Sequence, residues 1–96
     1  MARRHYLMAY DISDDKRRTQ VFETLKDYGD HVQFSVFFCE LSPQELAGLR
    51  GVLGGMIDHR ADQIVVLDLG DVQNPLEMIL DCIGRRYNPR GRVQVV

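Results

Sequence analysis

The apolar positions of this chain fall into two patterns: solid or alternating runs that suit strands, and stripes at helical spacing. The first run is Tyr6-Leu7-Met8-Ala9-Tyr10, closed by Asp11. It contains no charge, suits a strand buried on both faces, and is too short to cross a membrane. Ile12 to Arg18 then reads as a turn and a helix start. Ser13 can cap that helix, with Asp14 and Asp15 favouring the positive end of its dipole. Val21, Leu25 and Tyr28 recur as a core stripe, and Gly29 is a natural stop. From His31 to Glu40 the pattern alternates as one strand. Val32, Phe34, Val36 and Phe38 form the face expected in the core. Gln33, Ser35, Phe37 and Cys39 form a mixed face suited to a partner, a ligand or a covering loop.

Ser42-Pro43-Gln44-Glu45 combines a capping box with proline at the first helical position. Leu46, Leu49, Leu53 and Met56 follow as the buried stripe of this second helix. Gln63 to Leu69 reads as a strand closed by Gly70. Asn74 to Gly84 fits a helical face through Leu76, Ile79, Leu80 and Ile83, and equally a strand ending near Ile83. It is read as a short helical turn passing into an edge strand. Beyond the turn at Asn88-Pro89-Arg90-Gly91, Arg92 to Val96 alternates as a strand, which must pair with something or remain an exposed edge. This order comes closest to the α+β, ferredoxin-like βαββαβ plan with a four-stranded antiparallel sheet. That plan needs the 31–40 stretch to break into a hairpin, yet no turn residue marks a break.

Length changes the picture by limiting the core. Ninety-six residues suit one domain, 1–96. Such a chain buries roughly 60–65% of its unfolded surface, so a partner chain would help it. Cys39 and Cys82 make no CxxC pair and no metal-ligand spacing, which fits a reducing compartment. The run after Arg3 and Arg4 is too short and too soon acidic for a signal peptide, so a cytoplasmic protein with no membrane partner is expected. Net charge is −2, but residues 85–96 carry four arginines and no acid, while residues 19–84 carry three basic and eleven acidic side chains. Basic ends on an acidic chain either hold a polyanion or are simply solvated.

Asp11 is the candidate for chemistry, because a central strand holds it where the core meets solvent. The alternative is that it only ends the strand or caps the next turn. Arg17 and Arg18 fall in the first turns of the following helix, close to that strand end.

Three blocks together resemble one family. They are Tyr10-Asp11-Ile12-Ser13-Asp14-Asp15-Lys16-Arg17-Arg18, then Asp27 to Phe37 (DYGDHVQFSVF), then Leu41-Ser42-Pro43. Their content and intervals resemble the CRISPR-associated protein 2 family, the small subunit of the spacer-acquisition machinery. The resemblance implies a ferredoxin-like sheet in a homodimer whose final strand crosses to extend the partner's sheet. It implies Mg²⁺-dependent (or other divalent-dependent) cleavage of phosphodiester bonds in RNA or duplex DNA, an endonuclease activity. It also implies a scaffold role beside the CRISPR integrase subunit. The family's acidic residue maps onto Asp11, as catalytic group and metal ligand. Its tyrosine maps onto Tyr10, its early-helix basic residue onto Arg18 with Arg17 beside it, and its aromatic onto Phe37 with Ser35 nearby. Where some members have arginine before the V-Q pair this chain has His31, and where some have a second helix cation it has Gln20. Both departures lower the positive charge near the site.

Under that reading, one Asp11 is too few to hold a divalent ion, and a two-fold axis would bring a second. Arg17 and Arg18 would take phosphates. Tyr10 would orient substrate or pack the core, and His31 would assist proton transfer or stand as a surface histidine. Ser35 and Phe37 would shape the site or the dimer contact. The competing expectations are a non-catalytic DNA-binding adaptor and a small ligand-binding regulatory domain.

Overall fold

The computed structural model describes residues 2–87. Its elements are β1 (Arg4–Asp11), α1 (Asp15–Lys26), β2 (Gly29–Gln33), β3 (Val36–Leu41), α2 (Pro43–Gly54), β4 (Gln63–Asp71) and α3 (Leu76–Ile79). The strands form one sheet in the order β2-β3-β1-β4, with every neighbouring pair antiparallel. Each helical crossover joins two strands with a third between them, which is the ferredoxin-like βαββαβ plan.

The stretch expected as one strand is a hairpin. Gln33 pairs with Val36, and Phe34-Ser35 make the turn. No non-glycine residue among those described has positive φ. The turn therefore needs none of the Asn-Gly or Asp-Gly chemistry that announces most tight hairpins. A register slip between His31 and Gln33 adds a bulge, which bends and twists the strand.

The faces of this stretch are also exchanged. Phe37, Cys39 and Leu41 are buried, whereas Val36 and Phe38 lie half-buried on the opposite face and Phe34 is 85% exposed. Both faces of β3 are apolar, so alternation alone does not say which one meets the helices. Register decides: Phe37 pairs with Met8 and Cys39 with Tyr6, both in the core.

The core joins Tyr6, Met8 and Tyr10 of β1 to Val21 and Leu25 of α1 and to Leu49 and Leu53 of α2. Tyr28 leaves the expected stripe, because α1 ends at Lys26 and position 28 no longer follows its face. The α1 cap is Asp14 rather than Ser13: the Asp14 carboxylate accepts from the Arg17 amide at 2.8 Å. The α2 capping box forms as read, with Glu45 N donating to Ser42 Oγ at 3.1 Å and Ser42 N to Glu45 Oε1 at 2.9 Å. Gly29 is a strand residue rather than a helix stop. A Cβ there would lie 2.4 Å from the Phe38 carbonyl oxygen and 2.6 Å from Cys39 Sγ.

α1 and α2 both pack on one sheet face, so β1 is not fully buried on both. Leu7 and Ala9 are half-buried on the open face, and Val65 and Leu67 are 45% and 51% exposed. Part of this face lies under the segment after β4. His5 Nε2 bonds the Asn74 carbonyl at 3.1 Å, and Tyr87 sets its ring edge-on to Phe38 and donates to Asp30 Oδ2 at 3.2 Å. The helical turn expected near residue 76 is present as α3, but residues 80–87 form no strand. Side chains, not a hydrogen-bonded ladder, fasten this segment. The terminal strand read at 92–96 lies outside the described residues. Among the described residues no helix is long and apolar enough to cross a membrane.

Phe37→Ala, at a position with no exposed surface, is expected to lower unfolding free energy by about 3–5 kcal/mol. Phe34→Ala, three residues away on the exposed turn, should change it by less than about 0.5 kcal/mol. Urea unfolding of the two variants checks the assignment of faces. Equal losses would show it to be wrong.

Candidate functional site

Asp11 ends β1, pairs with Gln63 at the start of β4, and is exposed. Strand alternation puts it on the same face as Leu7 and Ala9, at the rim of the open face. Three connections meet at this end of the sheet: the β1–α1 loop, the β2–β3 turn and the loop before β4. Tyr10 N donates to the Ser35 carbonyl at 3.1 Å, which ties the turn to the strand beside Asp11.

The arginines near this rim have partners within the chain. Arg17 holds Asp62 through two bonds, Nε to Oδ2 at 2.7 Å and a terminal nitrogen to Oδ1 at 3.3 Å. The Asp62 side chain has no exposed surface and also accepts from Asp58 N at 2.9 Å. Arg17, and then the Asp58 amide, hold the Asp62 carboxyl below its ordinary value, and Asp62 in turn raises Arg17. The pair pins the start of α1 to the loop that feeds β4. Arg18 turns back onto the chain, donating to the Ile12 carbonyl at 3.0 Å and the Ser13 carbonyl at 3.1 Å, with Asp15 as counter-charge. It thereby closes the turn that directly follows Asp11.

His31 bonds the Phe34 carbonyl through Nε2 at 3.2 Å. Its ring lies 4.9 Å from Phe37 and edge-on to Phe22 at 5.0 Å. Tyr10 is buried, 6.5 Å from Phe37 in a stacked arrangement; burial pushes its phenol above the ordinary value and Arg18 opposes that. Phe37 is fully buried. Ser35 offers its backbone to Tyr10. The structure thus gathers Asp11, Tyr10, Arg18, Ser35 and the His31-clamped turn at one end, with Phe37 beneath them and Arg17 aimed at Asp62.

Two cations at this end, Lys16 and Arg60, are exposed; among the described residues the Lys16 ammonium and the Arg60 guanidinium make no hydrogen bond or ion pair, although the Arg60 amide donates to Asp58 Oδ1 at 2.9 Å. Sequence reasoning passed over them, and over Asp62 and Phe34. Lys16 lies within the first resemblance block without a role of its own, and Arg60 stands in no pattern. Asp62 precedes an apolar run as Asp11 follows one, and nothing local shows that it is paired 45 positions away. Phe34 falls, by alternation, on the face expected in the core. Among the described residues no group of three or more His, Cys, Asp or Glu side chains is placed to hold a metal ion. One copy of Asp11 therefore does not by itself make a metal site.

The sequence profile of the family described as CRISPR associated protein Cas2 matches residues 4–75. The chain belongs to that family. A relative from Rhodospirillum rubrum, named CRISPR-associated endoribonuclease Cas2 1, is 35% identical over 91 residues, covering 95% of this chain and 88% of its own. Among solved structures, a hypothetical protein from Thermus thermophilus superposes with a TM-score of 0.76 at 32% identity, covering 92% of this chain and 99% of that one. Streptococcus pyogenes Cas2 superposes with a TM-score of 0.73 at 29% identity, covering 83% of this chain and 99% of that one. The Cas2 match spans β1 to β4 and so includes the whole rim around Asp11.

The Arg17–Asp62 clamp has a pH signature. The folded Asp62 carboxyl titrates below its ordinary value of 3.8. The stabilisation is therefore fully present above that value and is lost as pH falls through the lower folded value. Denaturant unfolding at neutral pH and near pH 3 should show a smaller acid loss in Asp62→Asn, which cannot titrate, than in the wild type. An identical loss in both would remove Asp62 from the account.

Proposed function

We propose that this chain is the nucleic-acid-binding adaptor of a CRISPR spacer-acquisition system, working as a homodimer in the cytoplasm beside an integrase subunit. One observation carries this reading over a nuclease reading. The groups that would serve cleavage beside Asp11 are committed to the fold: Arg17 to Asp62, Arg18 to the loop carbonyls and His31 to the hairpin turn. Asp11 is left exposed at a stiffened rim, with Lys16 and Arg60 as the cations open to phosphate. The half-covered sheet face, with Leu7, Ala9, Val65 and Leu67, supports a second copy as partner. The cysteines are free, and burial pushes the Cys39 thiol up to about 11, with Asp30 adding to it, so it stays protonated and unreactive.

A second reading has support of its own. Asp11 lies on the open face, so two copies joined through that face could bring their carboxylates together, and the Rhodospirillum rubrum relative is named an endoribonuclease. A shared divalent ion, when bound, would supply an activated water and charge neutralisation at phosphorus. In that case the enzyme is a Mg²⁺-dependent endonuclease whose site belongs to the dimer.

The test uses wild type and Asp11→Ala with RNA and duplex DNA, with and without Mg²⁺. The adaptor reading expects both proteins to bind, Asp11→Ala at least as tightly because one repelling carboxylate is gone, and neither to cleave. Mg²⁺-dependent cleavage that disappears in Asp11→Ala would favour the second reading. For Lys16→Ala and Arg60→Ala, binding should weaken on every sequence, and the salt slope of log K should fall by about one unit for each phosphate no longer neutralised.

A further inference from the structure

Phe34 is 85% exposed on the β2–β3 turn. A phenyl ring held almost wholly in water gains nothing for the fold, yet the backbone beneath it is fastened at two points. His31 Nε2 holds the Phe34 carbonyl at 3.2 Å, and the Ser35 carbonyl accepts from Tyr10 N at 3.1 Å. His31 is itself wedged against Phe22 and Phe37. The ring is therefore presented from a fixed support rather than from a loose loop.

Its position is equally defined. Ala9 pairs with Val36 and Tyr10 N bonds the Ser35 carbonyl, so the turn that carries Phe34 stands at the same end of the sheet as Asp11. Lys16 and Arg60 stand exposed at the same end of the sheet. The rim as a whole is not strongly basic, because Asp14, Asp15, Asp58 and Asp62 also lie there. Charge alone gives a strand little hold at this rim, and an aromatic platform supplies what charge lacks. Base stacking on such a ring is indifferent to sequence and needs only an accessible face.

We propose that Phe34 stacks an unpaired nucleobase of a single-stranded RNA or DNA segment whose backbone passes Asp11. This rests on the nucleic-acid reading above and adds a base contact to it. The side chain and the strand make no covalent change. The ring fixes where the chain lies relative to the rim carboxylate.

The test is equilibrium binding of short single strands carrying 2-aminopurine, with a phosphorothioate backbone that resists cleavage, in Mg²⁺ buffer. Wild type should quench the 2-aminopurine on binding. Phe34→Ala should bind roughly 5- to 150-fold more weakly and lose the quenching, while Phe34→Tyr keeps both. Sedimentation should find the same oligomeric state for all three proteins. If wild type binds and Phe34→Ala binds equally well, the stacking assignment fails and the nucleic-acid reading stands. If wild type binds neither RNA nor DNA strands, that reading fails and takes the assignment with it. If Phe34→Ala breaks an oligomer that the wild type forms, the ring packs against a second copy, and the nucleobase proposal is overturned.

Discussion

Strand β1 is hydrogen-bonded on both sides, to β3 and to β4, and every other element takes its place from it. Met8, at its middle, has no exposed surface, and Tyr6 and Tyr10 flank it in the same core. A strand paired on both edges cannot slip by one residue without turning its buried side chains to the opposite face. That fixes not only the centre of the fold but its ends. Near one end Arg4 meets Asp68 at 3.0 Å, and near the other Arg17 meets Asp62. Asp11 is the last paired residue of a strand held along its whole length. A carboxylate so placed needs no further support to stay at the rim.

The charges around Asp11 show how this rim is built. Two arginines close to it turn inward, one onto a buried carboxylate and one onto loop carbonyls. A guanidinium suits both tasks, because its planar fork meets a carboxylate edge-on or bridges two carbonyl oxygens. The bond to Asp62 is also needed for a negative reason: a carboxylate without exposed surface, left unpaired, strongly opposes folding. Positive charge that a sequence count assigns to ligand binding is thus spent on architecture. What remains outward is Lys16, Arg60, the Asp11 carboxylate and the Phe34 ring. This end of the sheet offers shape, one aromatic surface and a few charges of both signs, not a strong positive field.

Much of this was legible in the sequence. The run Tyr6–Tyr10 gave away the central strand, and the abrupt change at Asp11 marked its rim. Ser42, Pro43 and Glu45 announced α2 because a capping box is local chemistry, decided within four residues. The hairpin was hidden for the converse reason. Its turn uses Phe34 and Ser35 at negative φ, so no glycine or asparagine was required. The faces of β3 were read in reverse because both carry apolar residues, and the choice rests on pairing with β1. The Arg17–Asp62 clamp joins residues far apart in the chain, which no periodicity reports. The edge strand expected to end near Ile83 does not form, because this part of the chain is attached through Tyr87, Asp30 and Phe38 rather than through a backbone ladder.

The half-covered sheet face runs out to the rim. Leu7, Ala9 and Asp11 alternate onto one face, so the apolar patch and the carboxylate are parts of a single surface. Val65 and Leu67 extend that surface on β4. The position of the apolar patch and that of the carboxylate are therefore coupled by the two-residue period of one strand. A change on β1 that moved the patch by one position would move Asp11 to the helix side, so the apolar face cannot change and leave the rim as it is.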